Sequence, residues 1–180
     1  ISTGFHQLAW KKHTVTLMDT PGDQNFFSDT KTCLQAADAA VVVIDAVDGV
    51  KVQTEIGWEF LDDFRLPRAI FINKLDRERA DFQRTFEDAK GLFQPKLIIL
   101  QLPIGAEAEF KGIVDLINLK AYVYGEDGKA KATGIPAEMK ETVEAEREAL
   151  IENIAEADDA LVERYKNERL QRLGNVLRVA

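Results

Sequence analysis

Two short polar clusters have the residue types and spacing of a nucleotide site, and each directly follows an apolar run. The first is Asp19-Thr20-Pro21-Gly22, which comes after Val15–Met18. Carboxylate oxygen is the ligand that Mg²⁺ prefers, so Asp19 could hold this ion, most simply through a water. Gly22 would let the backbone approach a phosphate closely, and its N–H could donate to a phosphoryl oxygen. An ordinary turn can have the same four residues, so this cluster alone leaves both interpretations open.

The second cluster is Asn73-Lys74-Leu75-Asp76, which follows the apolar run Ile70–Ile72. A carboxylate can accept two N–H groups from N1 and N2 of guanine, and adenine cannot supply that arrangement, so Asp76 could select the base. Asn73 would bond the base edge or tie neighbouring loops, and the aliphatic stem of Lys74 would lie over the ring. A polar loop after a buried strand is the alternative. The two clusters in this order, with a strand and a helix between them, favour the nucleotide site.

The apolar periodicity predicts the elements that position both clusters. An antiparallel hairpin is predicted from Phe5–Trp10 and Thr14–Met18, joined by the polar turn Lys11-Lys12-His13. Further strands are predicted at Ala39–Asp45, Ala69–Asn73 and Lys96–Leu102, and helices at Phe26–Ala37, Val52–Phe64 and Asp81–Phe93. This alternation is typical of an α/β fold, a parallel sheet with helices on both faces.

Ligands of such sheets bind beyond the carboxyl ends of the strands. We therefore expect Asp19, Asp45 and Asn73 to lie on one rim of one sheet. The continuous β-branched run Ala39–Asp45 is typical of a strand that is buried on both faces.

From about Pro95 the pattern changes to a second, α+β unit, so we divide the chain into residues 1–94 and 95–180. Phe110–Leu116, Leu119–Tyr124 and the turn Gly125–Gly128 predict a small meander. A long helix rich in glutamate follows Ile135-Pro136, with a break predicted near Asp158. A short amphipathic helix could occupy Leu170–Ala180.

Composition excludes several classes of protein. The net charge is −8, which argues against a general nucleic-acid binder and against sequence-specific DNA recognition. No apolar run approaches 18 residues, so the sequence predicts no membrane association. The single Cys33 forms no internal disulfide and fits a cytoplasmic protein. Structural roles are expected for His6, His13, Cys33, Trp10 and Trp58, the two tryptophans as packing residues.

The run from Asp19 to Asp76 resembles the GTP-binding domain of translational GTPases. Within the second unit, Gln101–Gly105, Phe110–Leu116 and Lys120–Tyr122 resemble the subdomain that elongation factor G inserts into its G domain. The resemblance implies a partial P-loop GTPase G domain with an antiparallel hairpin edge, plus a small α+β inserted subdomain. Release factor three and the tetracycline-resistance ribosomal protection proteins share part of the pattern and stay open as alternatives.

The family resemblance also implies ligands, partners and an activity. It implies GTP and GDP with Mg²⁺, and hydrolysis coupled to movement of tRNA and mRNA on the ribosome. It places Asp19 near the metal, Thr20, Pro21 and Gly22 at the phosphates, and Asn73, Lys74 and Asp76 at the base. It also implies that the inserted subdomain meets the ribosomal stalk protein, where its acidic face could steer a basic patch of this partner. A helix face that is simply solvated is the alternative interpretation of the acidic residues.

Two departures from the family pattern bear on catalysis. The family has histidine after the first cluster, to orient the attacking water, and this chain has Asp23. A carboxylate there repels the charged phosphoryl oxygens, although it could still orient water if turned edge-on or if its pKa were raised, and Gln24 could supply a neutral amide instead. The chain also contains no G-x-x-x-x-G-K-[ST] phosphate loop. We therefore expect weak or absent nucleotide binding by this chain alone, and a non-hydrolysing, nucleotide-gated ribosome binder is the alternative function.

Overall fold

The computed structural model describes residues 2–94, 96–125 and 127–156. The chain divides into two compact units, Ile1–Pro95 and Lys96–Ala180. Each unit has its own sheet or sheets and its own buried side chains.

The first unit begins with the predicted antiparallel hairpin of β1 (Gly4–Trp10) and β2 (His13–Asp19). Trp10 pairs with His13 across a two-residue turn, in which Lys11 has the positive φ of 54° that such turns require. The packing role predicted for Trp10 is wrong, because its side chain is 58% exposed. It ends β1 at the tip of the hairpin, where the Lys11 ammonium lies 4.2 Å from the ring centroid.

The alternating strands and helices that follow are confirmed, with ends that differ by three residues or fewer. They are α1 (Phe27–Leu34), β3 (Ala40–Asp45), α2 (Val52–Asp63), β4 (Arg68–Asn73) and α3 (Phe82–Leu92). Strands β3 and β4 pair in parallel, with Asp45 opposite Asn73. The strand ends that carry the polar residues are therefore level.

The single sheet expected from the sequence is not formed. Strands β1 and β2 make one two-stranded sheet and β3 and β4 another, and no ladder joins β2 to β3 among the residues that the structure describes. Consecutive strands are neighbours in only roughly two-thirds of connections, so their order along the chain did not fix their pairing.

The prediction that β3 is buried on both faces is also wrong. Ile44 is 1% exposed, but Val41 and Val43 are 64% and 59% exposed. Side chains alternate between the faces of a strand, and Phe71, the partner of Val43, is likewise exposed at 55%. A continuous apolar run tells which residues form the strand but not what covers each face.

Trp58 connects the elements of the first unit, which confirms its predicted packing role. Its indole ring stacks on Phe93 at 4.2 Å between centroids, and the Arg68 guanidinium lies 4.7 Å from its centroid. The indole N–H donates to the Gln94 carbonyl at 3.2 Å, so the polar edge of a ring that is only 5% exposed is satisfied. Helix α2, the start of β4 and the end of α3 are thereby packed together.

The second unit is an antiparallel meander followed by a helix. Its elements are β5 (Gln101–Ile104), β6 (Gly112–Asp115), β7 (Lys120–Tyr124), β8 (Ala130–Thr133) and α4 (Lys140–Ala155). The strands pair in the order β5-β6-β7-β8. A Cβ at position 112 would lie 1.9 Å from the Tyr122 carbonyl oxygen, so this register of β6 on β7 requires glycine.

Two predictions in this region change. The strand expected from Lys96 begins at Gln101, because its partner β6 offers only four residues to pair with, and it belongs to the antiparallel sheet. Strand β8 was not predicted, since its sequence Ala-Lys-Ala-Thr has little apolar character. The predicted break near Asp158 and the predicted helix at 170–180 lie outside the described residues.

Helix α3 should depend on its first residue for stability. The Asp81 carboxylate accepts from the Arg84 N–H at 2.9 Å and so caps the helix. We expect Asp81→Ala to lower the free energy of unfolding by about 1 kcal/mol in urea titrations followed by circular dichroism. Asp81→Asn should keep most of the stability, because asparagine caps equally well. Equal loss in both variants would contradict the capping role.

Candidate nucleotide site

The rim of the β3–β4 pair is where polar side chains converge. Asp45 and Asn73 are the last residues of parallel strands in register, and the Ala46 N–H donates to the Asn73 carbonyl at 2.9 Å, so the ladder runs on into the loops. Lys74 follows at once, and its Nζ lies 2.6 Å from Oδ2 of Asp45. The structure therefore brings Asp45, Asn73 and Lys74 together.

The turn after β4 has an unusual backbone at Lys74. Its φ is 61°, in the left-handed region that residues other than glycine rarely adopt. The Asn73 side-chain oxygen accepts from the Lys74 N–H at 2.8 Å, and the Lys74 carbonyl accepts from the Arg77 N–H at 3.1 Å. These bonds fold residues 73–77 into a tight turn, and the Asp76 side chain on that turn is exposed.

Asp45 has a fixed side-chain orientation and a lowered pKa. Its Oδ1 accepts from the backbone N–H groups of Val47 at 2.8 Å and Asp48 at 3.4 Å, while Oδ2 faces Lys74. The hydrogen bond from Lys74, followed by that from Val47, lowers the pKa of Asp45 to about 2. Sequence analysis placed Asp45 on the rim but gave it no role, because its partner is decided by the pairing of the two strands.

The cluster Asp19–Gly22 follows β2 in the other two-stranded sheet. Asp19 is exposed and pairs with Gly4 in the hairpin, and the Pro21 carbonyl accepts from the Thr30 hydroxyl at 3.2 Å, which ties the turn to α1. A Cβ built on Gly22 would meet no atom within 4 Å. Packing among the described residues therefore gives no reason for glycine at this position.

Asp23 caps the turn that leads into α1. Its Oδ1 accepts from the Asn25 backbone N–H at 2.8 Å and from the Asn25 side-chain Nδ2 at 2.7 Å. The 3-10 turn Gln24–Phe26 begins immediately after it. One oxygen of the carboxylate is thus engaged locally, whatever else binds nearby.

The predicted site is therefore assembled in part. Asp45, Asn73 and Lys74 share one rim, while Thr20, Pro21, Gly22 and Asp23 accompany Asp19 at the end of the hairpin sheet. The meeting of Asp19 with Asn73 stays a prediction. Within 2–94, 96–125 and 127–156, no three His, Cys, Asp or Glu side chains are grouped as metal ligands. The Asp19 carboxylate has oxygens of the hard type that Mg²⁺ prefers.

None of the helices in the described part of the chain combines the length and the apolar character that crossing a membrane requires.

Comparison with known proteins identifies a family and several relatives. Residues 1–166 match the family model described as the elongation factor Tu GTP binding domain. Elongation factor G from each of two strains of Ureaplasma parvum serovar 3 is 40% identical over 160 residues, which make up 87% of this chain and 23% of the relative. A crystal structure of a protein from Thermus thermophilus is similar with a TM-score of 0.84 and 34% identity, over 93% of this chain and 25% of that one. The chain thus spans about a quarter of the length of these relatives.

The Asp45–Lys74 pair predicts how stability changes in acid. The pKa of Asp45 in the folded chain, about 2, is below its ordinary value of 3.8, so the folded state favours the carboxylate. The stabilisation is fully present above about pH 5 and is lost progressively as the pH falls through 3.8 towards 2. We expect wild type to exceed Asp45→Asn by on the order of 1 kcal/mol in urea titrations at pH 6, and this difference to shrink between pH 4 and pH 2.5. A difference that stays constant over this range would contradict the assignment.

Proposed function

The chain belongs to the elongation factor Tu GTP-binding domain family. On this premise we propose that it is part of a protein that hydrolyses GTP and promotes translocation on the ribosome. It is part of a translational GTPase of the elongation factor G type and has the G-domain fold. The matches do not favour the release-factor-three and tetracycline-resistance alternatives. Translocation is the function of the full-length protein, of which this chain spans a part.

We assign residues 1–94 to the partial G domain and residues 95–180 to an inserted α+β subdomain. The division of the chain into two compact units at Pro95 and Lys96 supports these bounds. The antiparallel meander with α4 differs in topology from the parallel β3–β4 pair, which supports a separate, inserted subdomain.

Guanine recognition is assigned to the turn after β4, and the level ends of β3 and β4 are the observation that carries the proposal. The exposed Asp76 carboxylate accepts from N1 and N2 of the base, and the stem of Lys74 covers one face of the ring. Asn73 holds the turn through its bond to the Lys74 N–H. GTP and GDP have the same base, so both nucleotides bind here.

The phosphates and the metal are assigned to the turn after β2. Asp19 would hold Mg²⁺, most simply through a water, and the bound ion would supply positive charge to the phosphate oxygens. Gly22 donates its N–H to the terminal phosphate, and no protein atom within 4 Å of a Cβ built on this glycine would obstruct the phosphate. Thr20 and Pro21 shape the turn, which the bond from Thr30 to the Pro21 carbonyl anchors to α1.

The acidic helix α4 is assigned as the surface that binds the stalk protein of the ribosome. It has five glutamates against two basic residues, Lys140 and Arg147. Arg147 donates to the backbone carbonyls of Leu116 and Ile117, so it is committed to holding the helix on the meander. The surplus negative charge can steer a basic partner patch, and the protein would act in the cytoplasm, where ribosomes work.

Asp76→Asn in the full-length protein tests base recognition. An amide cannot accept both N–H groups of guanine, but it can donate to the second carbonyl of xanthine. We expect GDP affinity to fall by about 100-fold or more and XDP affinity to rise, both measured by fluorescent nucleotide titration. Asp63→Asn, in an exposed pair with Lys31, is the matched control and should bind GDP as wild type does. Unchanged GDP affinity in Asp76→Asn would refute the base assignment.

Asp23→His tests the catalytic role of the residue after the first cluster. Neutral imidazole can orient water without repelling the phosphate oxygens, so we expect hydrolysis to be faster by about tenfold or more. The measurement is single-turnover GTP hydrolysis by the full-length protein with ribosomes. Because the substitution also removes a cap, Asp23→Asn, which keeps a capping oxygen, accompanies it as a control. If the wild type hydrolyses GTP rapidly and Asp23→His does not change the rate, Asp23 is itself compatible with orienting the attacking water.

A further inference from the structure

Asp45 is oriented independently of the lysine that it contacts. Two backbone N–H groups of its own loop, those of Val47 and Asp48, hold its Oδ1. The Asp45 carbonyl also accepts from the Gly49 N–H at 2.8 Å, so the loop closes back on the end of β3. Its Oδ2 is therefore presented at a fixed place beyond the strand end, and the side chain is only 21% exposed.

The Lys74 side chain, by contrast, is held in place by its contact with Asp45. Its ammonium ends a flexible four-carbon stem that is 54% exposed, and Oδ2 of Asp45 at 2.6 Å is its ion-pair partner. A free lysine stem samples many rotamers, and fixing it costs up to about 2 kcal/mol in side-chain entropy. An ion pair that forms before the ligand binds reduces the part of this cost that falls on binding.

We propose that Asp45 is a positioning residue for guanine recognition, holding the Lys74 ammonium at the end of β3 so that the stem lies ready across the face of the base. This inference rests on the proposed function, because it assumes that the turn 73–76 binds guanine. Asp45 itself touches no part of the nucleotide and acts through Lys74.

A plain surface ion pair is the competing explanation. It would stabilise the rim without changing affinity, as exposed pairs on proteins commonly do. The chain provides a matched comparison in the same loop, because Asp48 pairs with Lys51 at the same distance of 2.6 Å and both side chains are about half exposed.

The experiment is a titration of the full-length protein with fluorescent GDP, at low salt, for wild type and four variants. These are Asp45→Asn, Lys74→Met, the double variant Asp45→Asn with Lys74→Met, and Asp48→Asn. We expect Asp45→Asn to weaken GDP binding roughly two- to fivefold, which corresponds to the upper range of exposed pairs. Asp48→Asn should leave affinity unchanged, and Asp45→Asn should add no further loss when Lys74 is already methionine.

The outcomes separate the inference from the proposed function. If wild type shows no saturable GDP binding, both are overturned. If wild type binds but Asp45→Asn binds equally well, the inference alone is overturned. The same is true if Asp45→Asn costs as much in the Lys74→Met background as in wild type, since Asp45 would then act without Lys74. Urea titrations of each variant establish that every one is folded, and Lys74→Met tests the same pair from its exposed side should Asp45→Asn be unstable.

Discussion

The parallel register of β3 on β4 is the constraint on which the candidate site depends. With Asp45 opposite Asn73, the two loops that follow begin at the same level of the sheet. A slip of one residue would turn every side chain of β3 to the opposite face and would separate Asp45 from Lys74. The ladder continues beyond both strands through the bond from the Ala46 N–H to the Asn73 carbonyl, so the register controls the loops as well as the sheet.

Helix α3 holds the loop that follows β3. The Ala46 carbonyl accepts from the Asp81 N–H at 3.0 Å, and the Arg84 guanidinium donates to the carbonyls of Ala46 and Val47 at 3.2 and 2.7 Å. Thr85 is fully buried, and its hydroxyl donates to the Asp81 carbonyl at 2.7 Å. The carbonyls of Ala46 and Val47, next to the rim, thus accept hydrogen bonds from groups at the start of α3, and these bonds hold the loop after β3.

Local patterns predicted the elements and the polar clusters, because strand alternation, helical periodicity and turn residues act over short stretches of sequence. They did not predict what the elements touch. The exposure of Val41 and Val43, the start of β5 at Gln101 and the separation of β2 from β3 all depend on partners that are distant in sequence. The Asp45–Lys74 pair belongs to the same class, since the two positions are 29 residues apart and only the strand register brings them together.

Asp23 has a structural role in the turn that follows the first cluster. Its carboxylate accepts two bonds from Asn25, so the pair acts as a unit that starts the 3-10 turn and leads the chain into α1. Histidine has no oxygen to offer in this cap, whereas a carboxylate beside phosphoryl oxygens adds repulsion. The charge that favours this turn would disfavour a phosphate placed beside it, so both effects would arise from the same group. Because Asn25 holds one oxygen through a backbone and a side-chain donor, only the other oxygen is left to face a water molecule.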